Sequence, residues 1–359
     1  MADLRILTVV GARPQFVKAA PISRAIAARE GIREILVHTG QHFDASMSQI
    51  FFEELGLEAP RINLGIHGGG HGEMTGKMLA ALERIIIEER PDLVLVPGDT
   101  NSSLAGALAA AKLDIPIAHL EAGLRSFNRR MPEEINRVLT DHLSTLLLCP
   151  TETAVINLRQ ERIIDGVHNI GDVMYDAACF AAAASRRSQI LDRLGLVERS
   201  YALATVHRAE NTESKAALAE VVEFLRRQAR DRVIVFPVHP RTRKRISEWR
   251  LDLGDILACE PLGYLDMHRL VRSAVAVFTD SGGLQKEAYF HKVPCVTLRS
   301  ETEWVETIDA GWNRLWKGAD YAPRREISAF GDGHAADHVV EILVNFLKCQ
   351  PIAGSALSS

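Results

Sequence analysis

Aromatic residues are scarce in this chain of 359 residues, at 6% of the total, and neither sign of charge dominates, with 42 Lys and Arg against 46 Asp and Glu. Each shortage excludes something. Few aromatics beside many Ala and Leu suit helices packed on a parallel sheet better than an all-β sandwich. A formal net charge of −4 provides no global positive field to hold nucleic acid. Local basic spots such as Arg241, Arg243 and Lys244 could still grip a small phosphate ligand. No apolar run approaches the roughly 20 residues that a bilayer demands. The opening MADLRILTVVGARPQ has no charged leader, long apolar segment or small-residue cleavage site. Cys149, Cys179, Cys259, Cys295 and Cys349 are odd in number, scattered, and form no CxxC pair. The expectation is reduced core thiols in a cytoplasmic protein. The patterns GxGxxG and GxxxxGK(S/T) are missing after the first strand, which removes the dinucleotide fingerprint and the P-loop.

What is present is a rhythm. Apolar residues make up 47% of the chain and charged residues 25%, as in soluble globular proteins. Short apolar runs end in Gly, Pro, Asp or His and are followed by helical patterns. Leu4–Val10, Glu34–Val37, Leu93–Val96, Ile115–Leu120 and Leu146–Cys149 form a first set. Ala202–Val206, Val233–Val238, Ile256–Cys259, Val275–Phe278 and Val293–Leu298 form a second. Continuous apolar runs of this length predict strands buried on both faces, and their alternation with helices predicts βαβ units and parallel sheets. The length agrees with two domains. We expect an α/β protein of two Rossmann-like domains: residues 1–172 and 173–334, followed by a helix and tail over 335–359 that returns to the first domain. In such sheets ligands bind beyond the carboxyl ends of the strands, here in the cleft expected between the domains.

The strand ends hold the chemically unusual residues. Ser281-Gly282-Gly283 opens a helix expected over Leu284–Phe290, where free N–H groups attract anions; a tight capped turn explains it equally well. Arg13 and Lys18 follow the first strand, as phosphate ligands or as surface charge. Asp99, Glu121 and Glu133 lie at or beyond neighbouring strand ends, with Glu133 opening a helix expected over Ile135–Leu148. Clustered carboxylates raise one another's pKa, which suits proton transfer. An acid in a first helical turn, Glu133 or Glu134, is also a plain dipole partner. His207 and His239 end two strands of the second half, an arrangement pointing to the cleft. His38 and His42 straddle Gly40 at a strand exit and lack the spacing of a zinc set, so no metal is expected.

Together these segments resemble a known family. Gly11-Ala12-Arg13-Pro14-Gln15-Phe16-Val17-Lys18, Thr39-Gly40-Gln41-His42, Gly98-Asp99-Thr100, His119-Leu120-Glu121-Ala122-Gly123-Leu124-Arg125 and Pro132-Glu133-Glu134-Ile135-Asn136-Arg137 are similar to blocks of the non-hydrolysing UDP-N-acetylglucosamine 2-epimerases. So are His207-Arg208-Ala209-Glu210-Asn211 and Thr279-Asp280-Ser281-Gly282-Gly283-Leu284-Gln285-Lys286-Glu287-Ala288, and the similarity runs in order from about residue 4 to about residue 345. The resemblance implies a glycosyltransferase-B-like fold, no cofactor, and a cytoplasmic homodimer that makes surface-polysaccharide precursors. The implied reaction inverts C2 of a UDP-activated 2-acetamido sugar. UDP leaves by anti elimination across C1–C2, giving a 2-acetamidoglycal, and adds back after C2 is protonated on the other face. By the same resemblance Arg13, Lys18, His207 and the Ser281–Gly283 turn would hold the diphosphate, with His207 also counted as catalytic. His239 would contact substrate, Glu287 would accept the ribose hydroxyls, and Asp99, Glu121 and Glu133 would handle the C2 proton. Domain closure would exclude water.

The sequence departs from the commonest pattern in several places. Trp304 stands in Thr302-Glu303-Trp304-Val305-Glu306 where many members have an arginine, Leu262 replaces a glutamine, and both Phe43–Met47 and Gly65–Gly76 differ. These departures resemble the branch acting on UDP-2,3-diacetamido-2,3-dideoxy-glucuronate, for whose carboxylate Arg125, Arg129 and Arg130 are candidate partners. A glycosyltransferase of the same fold is the alternative. It would not need a C2 base, so the acids between Asp99 and Glu133 favour the epimerase.

Overall fold

The structure, a computed structural model, describes residues 3–41 and 51–349. His42, one of the two histidines weighed as a metal pair, lies outside the described residues, as do residues 43–47 and the tail from residue 350. Residues up to Ala177 form one compact unit with those from Ala329 onward, and Ala178–Ser328 form a second. The division falls inside the helix Val173–Ala184.

The first unit is built on a parallel sheet of β1 (Leu4–Val10), β2 (Ile32–His38), β3 (Ile62–Asn63), β4 (Leu93–Pro97), β5 (Ile117–Leu120), β6 (Leu146–Cys149) and β7 (Val167–Asn169), in the order β3-β2-β1-β4-β5-β6-β7. The second carries β8 (Tyr201–Thr205), β9 (Val233–Pro237), β10 (Leu257–Cys259), β11 (Ala276–Thr279), β12 (Cys295–Thr297) and β13 (Asn313–Leu315), ordered β10-β9-β8-β11-β12-β13. Each order reverses direction once, between β1 and β4 and between β8 and β11. Those reversals are the places where an open α/β sheet accepts a ligand.

Alternation along each strand builds a core on both faces of its sheet. In the first unit Ile6, Leu93, Leu95 and Ala118 pack with Ile22 and Ile26 of the helix Arg13–Ala27. Their neighbours Leu7, Val94 and Val96 pack instead with Met78 and Leu82 of the helix His71–Glu89. Gly106 lets the helix Asn101–Lys112 approach that second face closely, because a Cβ there would stand 3.1 Å from both Val9 and Val96. In the second unit Ala202, Phe236 and Phe278 meet Leu218 and Leu225, whereas Leu203, Val235 and Val277 meet Leu270 and Ala288.

Some elements differ from the sequence reading. The helix after Met131 spans Pro132–Leu143 and ends before Ser144, because the apolar run beyond it is β6. The helix after Ser281 starts at Gly282, so both glycines belong to its first turn. The cysteines are free, but Cys179 and Cys349 are exposed and Cys259 is half-buried, which corrects the expectation of core thiols; only Cys149 and Cys295 are buried. Burial pushes the Cys149 thiol up to about 12.

The last helix, Ala335–Cys349, lays Val339, Val340, Leu343 and Leu347 on the core of the first unit. Leu343 is fully buried there, so Leu343→Ala should cost about 2–5 kcal/mol. Urea unfolding followed by hydrogen exchange should place the loss in the first unit and spare the amides of β8 and β11. Equal loss of protection in both units would contradict this packing account.

Candidate functional site

In the first unit the carboxyl ends of β1, β4 and β5 bring three sequence-predicted residues, Lys18, Asp99 and Glu121, near one another. Lys18, buried on the first helix, forms an ion pair with Glu121, buried just after β5. Burial alone would lower the lysine's pKa, but Glu121 and then Asp99 outweigh it, so Lys18 is held charged. Gly98 turns with φ at +66°, and a Cβ there would stand 3.1 Å from the Lys18 ammonium; glycine keeps that space clear. Glu121 itself takes a left-handed φ of 70°, a conformation that costs a non-glycine residue about 1–3 kcal/mol and persists only where its surroundings enforce it. The pair with Lys18 is one such constraint.

Asp99 is held by Arg137, the last residue of the Pro132–Arg137 motif, to which the sequence alone assigns no role. Arg137 Nη2 meets Asp99 Oδ2 at 2.5 Å and Arg137 Nη1 meets Glu134 Oε2 at 3.2 Å. Glu134 is buried and accepts N–H bonds from Ser126 and Phe127, both at 2.9 Å. Burial raises its pKa, but these bonds and Arg137 outweigh that and hold it low. It fixes the loop before its own helix. Glu133, by contrast, is exposed on the first turn. The structure therefore brings Asp99, Glu121 and Lys18 together and leaves Glu133 facing solvent. Arg13 lies 4.2 Å from the centre of the Phe51 ring. Gln15 fastens the turn between them: its Oε1 accepts from the Gly11 and Ala12 amides at 2.8 and 3.0 Å, and its Nε2 donates to the Pro97 carbonyl at 2.8 Å.

Behind this edge lies a buried network. His119 sits between Asp141 Oδ1 at 2.6 Å and the Gly98 carbonyl at 2.9 Å. Arg125 binds Asp141 Oδ2 and Glu161 Oε1, each at 2.6 Å. Its side chain is 1% exposed, so the expectation that Arg125 meets a substrate carboxylate is corrected: both of its faces are engaged by protein acids. Arg129 and Arg130 are exposed. Asp141 lacked a motif signal, and only its place one helical turn after Arg137 marked it. His38 is a buried residue 5.1 Å from the Phe16 ring. Among the described residues no group of three His, Cys, Asp or Glu side chains could hold a metal ion, and no helix there is long and apolar enough to cross a membrane.

In the second unit Asp280, fully buried after β11, organises the switch point. Its carboxylate accepts the main-chain N–H of His207 at 3.0 Å, that of Arg208 at 3.0 Å and the Asn211 amide at 2.9 Å. This pins the exit of β8 to the exit of β11 and turns the His207 ring, 40% exposed, outward. The His239 ring lies 6.0 Å away, its Nδ1 accepting from the Arg241 amide at the start of the helix Pro240–Glu248. Ser281 caps the helix Gly282–Phe290, its hydroxyl accepting from the Leu284 amide. The space a side chain would need at Gly282 is filled by Glu303 and the Trp304 indole. Trp304 is buried, with the Lys286 ammonium 3.8 Å from its ring centre, a cation–π contact. Glu287, half-buried one turn along, faces His268 at 3.7 Å, and His268 meets His291 at 2.7 Å.

Asp141 is held below the ordinary carboxylate range: its burial is outweighed by His119 and Arg125. A depressed carboxylate stabilises the fold above its unfolded pKa, and the contribution fades as pH falls through the folded value. Asp141→Ala should cost about 3–5 kcal/mol near neutrality, since it strands the buried Arg125 guanidinium and removes the hydrogen-bond partner of the buried His119 ring, and progressively less below about pH 4. Urea titrations of wild type and variant across that range check the sign; a difference independent of pH would contradict it.

Comparison with known proteins fits this geometry. A family model described as UDP-N-acetylglucosamine 2-epimerase matches residues 24–344. A Methanococcus maripaludis protein named UDP-N-acetylglucosamine 2-epimerase homolog is 50% identical over 361 residues, covering 95% of this chain and 100% of that one. A Pseudomonas aeruginosa UDP-2,3-diacetamido-2,3-dideoxy-D-glucuronate 2-epimerase is 52% identical over 317 residues, covering 87% and 88%. Among solved structures, Methanocaldococcus jannaschii UDP-GlcNAc 2-epimerase in complex with UDP-GlcNAc and UDP has a TM-score of 0.85 at 42% identity, covering 96% and 99%. The Neisseria meningitidis enzyme bound to UDP-GlcNAc has a TM-score of 0.86 at 28% identity, covering 95% and 100%. With two parallel α/β sheets of this order, and a family match across nearly its whole length, the chain belongs to the UDP-N-acetylglucosamine 2-epimerase family and is an isomerase of the epimerase class.

Proposed function

We propose that this epimerase inverts C2 of a UDP-activated 2-acetamido sugar, and that UDP-2,3-diacetamido-2,3-dideoxy-glucuronate is the better supported of two candidate sugars, ahead of UDP-GlcNAc. The observation that carries the reaction is the pairing of Asp99 with Arg137 and of Glu121 with Lys18 at one strand edge. A C2 proton has no neighbouring carbonyl to acidify it. It becomes labile only as the C1–O bond breaks and positive charge builds at C1. The bonding pair leaves with UDP, the C2–H pair becomes the C1=C2 bond, and the proton passes to a carboxylate. A second proton then passes to C2 from a protonated acid on the opposite face while a UDP oxygen re-forms the bond to C1, and exchange of protons with water resets the two acids. Two carboxylates held at the ready by fixed cations meet that demand, and exposed Glu133 is the third acid of the reading.

The leaving diphosphate needs positive charge where negative charge develops. Arg13, Lys18, His207 and the Ser281–Gly283 turn are assigned that task, His239 a substrate contact and Glu287 the ribose hydroxyls. The choice of sugar rests on the 52% identity to the diacetamido-glucuronate enzyme and on Trp304 in place of arginine. Exposed Arg129 and Arg130 are the proposed partners of the sugar carboxylate. A cytoplasmic homodimer is part of the same reading.

Incubating both sugars with the protein in D₂O tests it. Deuterium should enter C2 of substrate and product without any acceptor, faster for the diacetamido uronate. A product that forms only with an acceptor and carries no label would overturn the proposal. Asp99→Asn, Glu121→Gln and Glu133→Gln should each lower kcat about a hundred- to ten-thousand-fold with UDP affinity nearly kept, whereas Arg13→Ala should weaken UDP binding. Near-normal turnover in all three acid variants would remove the proton-transfer assignment.

A further inference from the structure

A cavity lies at the amino ends of the strands in the second unit's sheet. It measures about 520 Å³ and is lined by Arg186, Arg199, Arg269, Arg272 and Lys292. Arg199 precedes β8, Arg272 precedes β11 and Lys292 precedes β12, so these side chains gather at the amino ends of the strands, whereas His207 and Ser281 follow the carboxyl ends. The nucleotide assignment therefore leaves this cavity unused.

Its charge is not balanced by the protein. Glu198 pairs with Arg269 at 2.7 Å, and Glu326 pairs with Lys292. Arg186, Arg199 and Arg272 have no carboxylate partner among the described residues. Arg199 donates to the Ala274 carbonyl at 2.9 Å and Arg272 to the Ala182 carbonyl at 3.0 Å. Carbonyls aim a guanidinium without neutralising it. In addition, the Nε of Arg269 is buried with no acceptor. Arg186 and Arg199 are exposed, so water damps the repulsion among these like charges but leaves the local excess of positive charge in place. An oriented set of guanidinium forks matches the oxygens of a phosphate. The neutral part of the lining is Cys179, Ala182, Ala183, Ser273, Phe290 and His291, which leaves the arginines as the chief charged groups.

We propose that this cavity is a second ligand site, separate from the nucleotide-sugar site, and that it takes a small polyvalent oxyanion of the phosphate or pyrophosphate class. Three uncompensated cations call for a multiply charged ligand, and the same chemistry serves a free anion or the phosphate end of a larger metabolite.

His291 lines the same cavity and makes a local reporter. The full-length protein, its histidine rings isotope-labelled, is titrated with sodium pyrophosphate in the presence and absence of saturating UDP, at constant ionic strength. The His291 ring signals should shift saturably in both series. Arg186→Ala and Arg199→Ala should weaken that binding at least tenfold, with Arg199→Lys retaining part of it should the alanine variant fold poorly. A parallel titration with glucose 1-phosphate separates the sources: equal affinity points to the phosphate group of a larger molecule, and weaker affinity to the free anion. No saturable shift up to about 10 mM, a limit well beyond useful affinity, would overturn the proposal. So would an equal response to sodium chloride, or binding indifferent to both arginine substitutions. His291 touches His268, which faces Glu287, so the series with saturating UDP and the Arg186 and Arg199 variants, which the nucleotide assignment does not use, keep the two readings apart: failure here leaves the epimerase reading standing, and failure of that reading leaves this one.

Discussion

A carboxylate that is to take a proton from carbon, the role proposed for Asp99 and Glu121, must be ionised, aimed and shielded, and those demands conflict. Burying a carboxylate alone drives it to the neutral form, and exposing it leaves it mobile and hydrated. In this protein both carboxylates are paired with cations. Lys18 reaches Glu121 from the helix after β1, and Arg137 reaches Asp99 from the helix after Met131. The rest of the first unit serves to deliver those cations. Gln15 clamps the first turn to the end of β4, Gly98 keeps space above the lysine, and His119 holds the Gly98 carbonyl with Asp141 behind it.

The second unit solves a different problem with the same kind of device. At its switch point, where the proposed diphosphate contacts lie, the chain leaves two strands at once. Asp280 gathers the amides of His207 and Arg208 and the side chain of Asn211 onto one buried carboxylate. The parallel sheets provide the frame in both units. Reversal of strand order places the first and fourth strands side by side, and their carboxyl ends hold the groups that matter.

Much of this was legible in the sequence, for reasons that can be named. Apolar runs such as Leu93–Val96 can only be strands covered on both faces, which gave the two sheets. The short edge strands Ile62–Asn63 and Asn313–Leu315 carry too few residues for a period to register. Asp99, Glu121, Lys18 and Ser281 stood out because polar residues cluster where apolar runs stop. Arg137 and Asp280 were in quoted motifs, yet their roles depend on partners far along the chain that no local pattern reveals. Arg125 misled for the same reason: an arginine on a loop reads as solvent-facing until Asp141 and Glu161 close on it. Trp304 was visible as a substitution, but its contact with Lys286 belongs to tertiary structure alone.

The central claim is that Lys18 and Glu121 act as one unit in moving the C2 proton. A double-mutant cycle on turnover, with Lys18→Met, Glu121→Gln and both together, measures this most directly. Groups that work as a unit lose most of their effect with the first substitution, so the double variant should be scarcely slower than the worse single one. Losses that simply multiply would show two independent residues and contradict the account.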